Sequence, residues 1–431
     1  MVRRLVWIAL SAAAACSDVS NVPPGPTDRF YMPMGIGVYG GKLIVASSNA
    51  DLRYDSATGG SVISVDPFTN VRIDGLNVQS FAGEMVIADP AACPAMDAGT
   101  GPLAIVPVRG ANLLYLVRIG AVGTPELGTL TCDGCGVPVG GRERVDPYTV
   151  GLACGNGIAR AYVSFLRSSD GTSQFTQVDL TKPVGAPDAL QSGAYGLGQV
   201  RGFAYDPAPQ RLYVNTIGVG QEMAIRWIDL AGGCLIGPDT SSGGCTSGIM
   251  SLPVGLQPRA IALSTPDPAF PTRRMYIAAQ VNDPMVSGTF NTGGELLVAD
   301  LVDDPAGRTF LHIVHQEPIG SGPAAVTVFP RIATRAGKRD VVALLAGDAG
   351  ALWLFDDETR DLVQIGRDAA SGHPTVGGSP VGLAVDPVTQ GNTAHLYVSS
   401  FQDNFVVPID VQLDDIKLPP TIRAPIVGGT P

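Results

Sequence analysis

Short apolar runs bounded by turn residues recur along the chain from residue 30 to residue 415. The runs are rich in β-branched and aromatic side chains and are flanked by Gly, Pro, Asn or Asp, which predicts β-strands joined by turns. Residues 212–215, 275–278 and 396–399 are clear cases. No long stretch carries the 3.6-residue apolar period of a helix. The pattern therefore predicts an all-β protein.

The predicted strands are organised as seven repeats. Each repeat opens on an anchor, in most copies Pro or Gly, followed by an apolar run, and the copies begin at residues 33, 83, 147, 200, 258, 323 and 380. A second apolar run follows each one, and a third often ends in aspartate. Three visible strands and a less regular fourth, repeated in this way, predict a seven-bladed β-propeller with four-stranded antiparallel blades. We place the propeller at residues 29–415.

Two copies carry a more specific motif. Leu-Tyr-Val-Ser-Ser at residues 396–400 and Leu-Tyr-Val-Asn-Thr at residues 212–216 resemble the YVTN-type propeller repeat. The resemblance extends over nearly the whole chain after the N-terminal segment. It implies the propeller fold and says little about function. It also implies that the loop entering each innermost strand and the loop between the second and third strands lie on one face of the ring.

Closing the ring requires that the first and last strand edges be covered. Two segments are candidates for the fourth strand of the seventh blade. One is residues 28–32, which precede the first anchor, and the other is residues 421–426, within a C-terminal tail at 416–431.

The N-terminus has the pattern of an export signal. Arg3 and Arg4 precede an apolar run and a series of alanines that ends at Cys16. The apolar run is too short to span a hydrocarbon core of ~30 Å. The segment resembles a bacterial lipobox, although Ala13 stands where that motif usually has leucine. The resemblance implies a signal peptide at residues 1–15 and lipidation of Cys16.

Residues 16–28 are then predicted to be a flexible tether. Ser17 follows the cysteine, which favours the outer membrane. We therefore expect a bacterial envelope lipoprotein, attached to the membrane through Cys16 and facing the periplasm or the cell surface. An ordinary secretory signal with cleavage nearby is the alternative.

Six of the seven cysteines remain once Cys16 is set aside. An even number in an exported chain predicts disulfides, with 15 possible pairings. Cys234 and Cys245 flank a loop of Gly, Ser and Asp and are the first predicted pair. Cys132 and Cys135 form a C-x-x-C segment that can close on itself, which would leave Cys93 with Cys154.

The net charge of −11 arises from 39 acidic against 28 basic residues. No concentrated group of Lys and Arg is present, which argues against a nucleic-acid partner, because phosphate binding needs such a group. The 54 glycines and 35 prolines agree with a chain that turns often. We expect a monomer.

Candidate ligand contacts come first from the residue that follows each anchor. We call these seven positions the ring residues. Arg201 and Arg259 lie on adjacent blades and could hold a carboxylate or a phosphate by forked hydrogen bonds. The alternative is that they pair with nearby acids or face solvent. The ring residues are Met34, Glu84, Tyr148, Arg201, Arg259, Ala324 and Val381.

The long loop between the second and third strands of the first blade offers further candidates, because long loops on rigid scaffolds often bind ligands. They are Asn49, Asp51, Tyr54 and Asp55. Three of them could offer oxygens to calcium, but the spacing lacks the glycine and the terminal glutamate of an EF-hand. Stabilisation of turns is the favoured interpretation of Asn49, Asp51 and Asp55.

Catalytic motifs are scarce. The chain has neither a G-x-S-x-G elbow nor a glycine-rich phosphate loop. Lactonase-type propellers use a ring of acids and amides around a metal, whereas only Glu84 is acidic among the ring residues. The sequence therefore predicts a non-catalytic binding or interaction scaffold, without metal or cofactor, that binds a protein or a small molecule on the loop face. A metal-dependent, lactonase-like hydrolase and an outer-membrane protein assembly scaffold are the alternatives.

Overall fold

The computed structural model describes residues 22–428 except for residues 98, 133, 140–143, 169–172, 184–185, 187–189, 198, 218–222, 232–244, 282–292, 336 and 367–375. The predicted signal peptide and Cys16 lie outside these residues. Within the described part, helix is limited to single 3-10 turns such as Arg109–Ala111. None of these residues forms a helix with the length and apolar character needed to cross a bilayer.

Seven antiparallel sheets, one for each predicted repeat, confirm the seven-bladed β-propeller. Six of the described sheets have four strands in chain order, so these blades are simple meanders. The second blade carries one strand more, because its third strand pairs with two short successors in turn.

The strands of the first four blades follow one another along the chain. Blade 1 contains β1 (Pro33–Tyr39), β2 (Lys42–Ser47), β3 (Gly60–Asp66) and β4 (Val71–Val78). Blade 2 contains β5 (Val86–Ala88), β6 (Leu103–Val108), β7 (Leu113–Ile119), β8 (Leu130–Thr131) and β9 (Gly136–Pro138). Blade 3 contains β10 (Arg144–Gly155), β11 (Ile158–Ser168), β12 (Ser173–Asp179) and β13 (Leu190–Leu197). Blade 4 contains β14 (Gln199–Asp206), β15 (Arg211–Ile217), β16 (Met223–Asp229) and β17 (Ser247–Ser251).

The last three blades complete the ring. Blade 5 contains β18 (Leu256–Leu263), β19 (Arg274–Val281), β20 (Gly293–Asp303) and β21 (Thr309–Pro318). Blade 6 contains β22 (Pro323–Val328), β23 (Val341–Ala346), β24 (Ala351–Asp356) and β25 (Asp361–Ile365). Blade 7 contains β26 (Pro380–Val385), β27 (Thr393–Ser400), β28 (Phe405–Gln412) and β29 (Thr421–Ile422).

The hydrophobic core lies between the blades. Tyrosines at the same place on the second strand of four blades, Tyr162, Tyr213, Tyr276 and Tyr397, are at most 1% exposed. Each packs against the next blade around the ring. Tyr162 packs among buried hydrophobic residues of blade 4, and Tyr397 packs among those of blade 1. This tyrosine of the repeat motif therefore fills the space between neighbouring sheets.

Both segments considered for ring closure take part in it. Thr421–Ile422 forms the fourth strand of blade 7, with Ile422 opposite Ile409. Ile426 then bridges to Val406 through backbone hydrogen bonds of 2.8 and 2.9 Å. Phe30, which precedes the first blade, donates its N–H to the carbonyl of Val427 at 3.0 Å and is buried beside Ile426. The last blade is completed by the C-terminal segment, and the N-terminal segment packs against it.

Two of the predicted disulfides are present. Cys93–Cys154 joins the second blade to the third, as predicted. Cys132–Cys135 closes the short C-x-x-C segment on itself, again as predicted. Cys245 is disulfide-bonded, but Cys234 lies outside the described residues, so the pairing of these two stays a prediction.

Buried ion pairs connect the blades near the fifth and sixth sheets. The Arg274 side chain is 7% exposed and bonds to Asp300 at 2.7 Å and to Asp357 of the next blade at 2.8 Å. Asp357 also accepts a hydrogen bond of 3.0 Å from the hydroxyl of Tyr276. A buried charge is tolerated only when it is paired, and removing one partner leaves the other uncompensated.

We expect Arg274→Met to lower the free energy of unfolding by about 3–5 kcal/mol, because Asp300 and Asp357 lose their buried cation and Asp357 keeps only the more exposed Arg360. Arg308→Met is the matched control, since Arg308 pairs with Asp304 but is 66% exposed. Exposed pairs contribute about 0–1 kcal/mol. Urea unfolding measures both variants, and equal losses would contradict the role given to Arg274.

Candidate functional site

The start of each innermost strand carries a β-bulge at the ring residue. In blade 1, Pro33 pairs with Ser47 while Gly35 pairs with Ala46, so Met34 has no residue opposite it. A bulge of this kind turns the extra side chain away from the regular alternation of the strand. The same shift occurs between Pro147 and Val150, Val200 and Gly202, Pro258 and Ala260, Pro323 and Ala325, and Pro380 and Gly382.

Blade 2 contains an equivalent irregularity. Ala82 pairs with Val108 and Val86 with Ile105, which leaves one more residue on the inner strand than on its partner, with Glu84 in the middle. Glu84 donates its backbone N–H to the carbonyl of Tyr148 in blade 3 at 3.1 Å. A Cβ on the preceding residue, Gly83, would lie 2.3 Å from that same carbonyl oxygen. Glycine is needed at position 83 because the two blades approach so closely there.

The polar residues at the end of several second strands support these bulges. Ser399 Oγ accepts a hydrogen bond of 2.9 Å from the backbone N–H of Gly382, directly after the bulge of blade 7. Asn215 donates from Nδ2 to the carbonyl of Pro258 in the next blade at 3.3 Å. The Ser or Asn of the repeat motif thus satisfies backbone groups that the bulge removes from the sheet ladder.

All seven ring residues line one central cavity of about 300 Å³. The four polar ring residues come from consecutive blades, the second to the fifth, and the three apolar ones come from the sixth, seventh and first. Among the ring residues, one side of the cavity is therefore polar and the other apolar. The remaining lining residues are Gln280, Gly322, Pro323 and Asp348.

Glu84 is half-buried on the polar side of the cavity. Burial raises the pKa of its carboxyl to about 7, while hydrogen bonds with Thr149 and Tyr148 and the charge of Arg201 act in the opposite direction. The negative charge of Glu84, followed by burial, raises the pKa of Tyr148 to about 12. Tyr148 is therefore neutral at physiological pH, whereas Glu84 changes its protonation state close to it.

The two arginines occupy the next two blades. The guanidinium carbon of Arg201 lies 5.0 Å from the centre of the Tyr148 ring, within cation–π distance. Arg259 donates from Nε to Gln280 Oε1 at 2.8 Å, and its Nη2 bonds to the same oxygen. Burial, followed by the positive charge of Arg201, lowers the pKa of Arg259. Two cations thus line the same cavity.

The four candidates from the long loop of blade 1 do not line this cavity. Asn49 is fully buried, where its Nδ2 donates to Ser80 Oγ at 2.7 Å and its Oδ1 accepts from the N–H of Tyr54 at 3.1 Å. Asp55 accepts from the hydroxyl of Thr58 at 3.0 Å, and Asp51 from the hydroxyl of Tyr31 at 2.5 Å. Asn49 and Asp55 hold turns, and Asp51 joins the loop to the segment before blade 1.

Gln280 and Asp348 also line the cavity, although no sequence motif marks them. Gln280 lies near the end of β19, and Asp348 lies in the short turn between β23 and β24. Both are at the junction of the second and third strands, on the face already expected to carry the loops. Across the described residues, no three His, Cys, Asp or Glu side chains lie close enough together to hold a metal ion.

This chain is similar to known proteins in its fold. No protein-family model matches the chain, and no curated protein sequence matches it. Among solved structures, a hypothetical selenium-binding protein of Sulfolobus tokodaii is similar, with a TM-score of 0.52 at 12% identity over 94% of this chain and 95% of that one. A protein assigned by name to the 6-phosphogluconolactonases, from Bacteroides fragilis, has a TM-score of 0.51 at 15% identity over 89% of this chain and 96% of that one. The dihydro-heme d1 dehydrogenase NirN has a TM-score of 0.48 at 12% identity, over 95% of this chain and 67% of that one.

The raised pKa of Glu84 predicts a pH dependence of stability. The native state binds a proton at Glu84 more tightly than the unfolded chain does, between the ordinary pKa of 4.5 and the folded value of about 7. The free energy of unfolding should therefore decrease as pH rises through this window, by up to about 1.4 kcal/mol per pH unit. Glu84→Gln should remove that contribution.

Urea unfolding of the wild type and of Glu84→Gln at pH 5, 6, 7 and 8 measures this effect. The variant should gain stability relative to the wild type as pH rises. Glu126→Gln is the matched control, because Glu126 is exposed and does not line the cavity. This variant should leave the pH profile unchanged. Parallel profiles for wild type and Glu84→Gln would show that the cavity does not raise the pKa of Glu84.

Proposed function

We propose that this protein is an exported β-propeller binding protein, attached to the bacterial envelope through Cys16, whose ligand site is the central cavity. One observation supports the site above all others: a bulged residue from every blade lines one central cavity that contains two arginines and a titratable glutamate. Pockets that bind small molecules combine an apolar lining with a few convergent polar groups, as this cavity does.

A binding role agrees with the electrostatics. Burial, followed by the positive charge of Arg201, lowers the pKa of Arg259, and the two like charges share this partly buried environment. Such an arrangement becomes more favourable when a ligand brings negative charge to it. The cavity thus has a physical reason to accept a ligand, independent of any chemical step.

Native mass spectrometry tests the site. Protein released gently from the envelope should carry a small molecule, and Ala324→Trp should abolish its retention, because the indole would fill the apolar side of the cavity. Ala57→Trp is the control, since Ala57 lies exposed on the loop of blade 1. Equal retention by both variants would place the ligand elsewhere on the molecule.

The membrane attachment is tested separately. Labelling of cells with radioactive palmitate should mark the wild type, and Cys16→Ala should lose the label and be released from the membrane fraction. Labelling that persists in Cys16→Ala would exclude lipidation at this cysteine and leave an ordinary secretory signal as the explanation of the N-terminus.

A hydrolase acting on lactones or small esters is the second candidate. The supporting observation is the Glu84 carboxyl, whose pKa of about 7 suits a general base that activates water at neutral pH. A lactone panel combined with metal analysis of the purified protein separates the two proposals. Turnover that disappears in Glu84→Gln would support the hydrolase, and the absence of turnover across the panel would support binding alone.

An assembly scaffold for outer-membrane proteins is the third candidate. It requires a protein partner on the loop face, where Asp51 is exposed. A photo-crosslinking residue at position 51 should then capture outer-membrane proteins in living cells, whereas the binding proposal expects a residue at position 381 in the cavity to capture a small molecule.

A further inference from the structure

We propose that the cavity binds a small organic acid, consisting of one carboxylate and a compact apolar body, and that the acid binds together with a proton taken up by Glu84. The inference rests on the proposed function, which it deepens by naming the class of ligand. It follows from the division of the cavity, from the donor that Arg259 leaves unused and from Glu84, which lines the same cavity.

The cavity has two chemically different sides. Blades 6, 7 and 1 contribute Ala324, Val381 and Met34, and Pro323 extends this apolar surface. Blade 6 also contributes the carboxylate of Asp348, whose negative charge acts on Arg259. The opposite side carries Arg201, Arg259 and Glu84. A ligand that satisfies both sides must be polar at one end only, because a uniformly polar ligand would leave its groups without partners against the apolar wall.

The polar side calls for an anion. Arg259 uses Nε and Nη2 for Gln280, and no described residue accepts a hydrogen bond from its Nη1. A carboxylate matches the planar fork of a guanidinium and forms short charge-assisted hydrogen bonds with it. Arg201 on the adjacent blade adds a second positive charge to the same side.

The volume limits the body of the ligand. A cavity of about 300 Å³ lies at the lower end of ligand pockets. At a liquid volume of ~30 Å³ for each water, it corresponds to about ten water molecules. A single ring or a short branched chain with one acid group fits this space.

Glu84 couples ligand binding to pH. It faces Thr149 and Tyr148 of β10 and the charge of Arg201 on β14. Behind Tyr148 lies Arg109, which is 4.0 Å from Asp146, and the other charged groups of the cavity are Arg259 and Asp348. Met34, on the apolar side, is uncharged.

A ligand carboxylate beside Glu84 would raise the pKa of Glu84 further, because two like charges oppose each other. The protonated carboxyl of Glu84 would then donate a hydrogen bond to the ligand. Arg201 would no longer interact with a negative charge on Glu84. Affinity should therefore be highest below pH 7 and should fall by up to about tenfold per pH unit above it.

Titration calorimetry with benzoate as the probe tests the proposal on the full-length protein. Benzoate should bind at pH 6 at least about tenfold more tightly than benzamide, its neutral isostere, because only the acid pairs with the arginines. Measurements at pH 7.5 in two buffers of different ionisation enthalpy should show net proton uptake. Succinate and inorganic phosphate, which lack the apolar body, should bind more weakly than benzoate.

Two variants assign the effects to residues. Glu84→Gln should bind benzoate with an affinity that no longer depends on pH and without proton uptake. Arg259→Gln should weaken binding by about tenfold or more. Arg53→Gln is the matched control, because Arg53 is exposed and outside the cavity. Unfolding midpoints show whether each variant is folded. If a variant is unfolded, the measurements on the wild-type protein decide the proposal.

The outcomes separate the two proposals. Equal binding of benzoate and benzamide, an affinity that rises with pH, or tighter binding of phosphate than of benzoate would overturn the ligand class and leave a cavity-binding protein. The same holds if benzoate fails to bind while native mass spectrometry finds another small molecule that Ala324→Trp displaces. Failure of both experiments would overturn the proposed function as well.

Discussion

Each blade of this propeller can cover its two apolar faces only with the blades on either side of it, and this packing fixes much of the structure. Tyr162, Tyr213, Tyr276 and Tyr397 occupy the same place in four blades and fill the gap to the next sheet. A chain of separate sheets would leave these rings in water. The ring therefore has to close, and the packing of blade 7 on blade 1 closes it together with the contact between Phe30 and Val427.

The same geometry creates the cavity. A one-residue bulge at the entrance of each innermost strand interrupts the regular pairing and releases one side chain toward the axis. Residues at these bulges are free to vary, because the ladder does not use them. Four consecutive blades place polar groups there and three place apolar ones, so a symmetric scaffold encloses an asymmetric site.

The fold could be predicted because each repeat can be recognised from residues that are close together in the sequence. These are an anchor, two apolar runs and a terminal aspartate. The ring residues could be identified for the same reason. The electrostatic state of Glu84 could not, since it depends on burial and on groups from blades 3 and 4 that are distant in sequence. The length of the blade 1 loop suggests a ligand site, whereas the residue type of Asn49 favours a turn. The hydrogen bonds of Asn49 with Tyr54 of the same loop and with Ser80 agree with the turn.

The contacts of the N-terminal segment have a consequence for orientation. The carbonyl of Pro23 accepts from the N–H of Asp55 at 3.0 Å, and the N–H of Gly25 donates to Thr58 at 2.9 Å, so the segment leaves the ring beside the loop of blade 1. If Cys16 carries the proposed lipid, the intervening residues extend at most about 3.6 Å each. The bilayer surface would then lie within about 25 Å of the rim that surrounds the cavity mouth, and a ligand would reach the site from the narrow layer between membrane and ring.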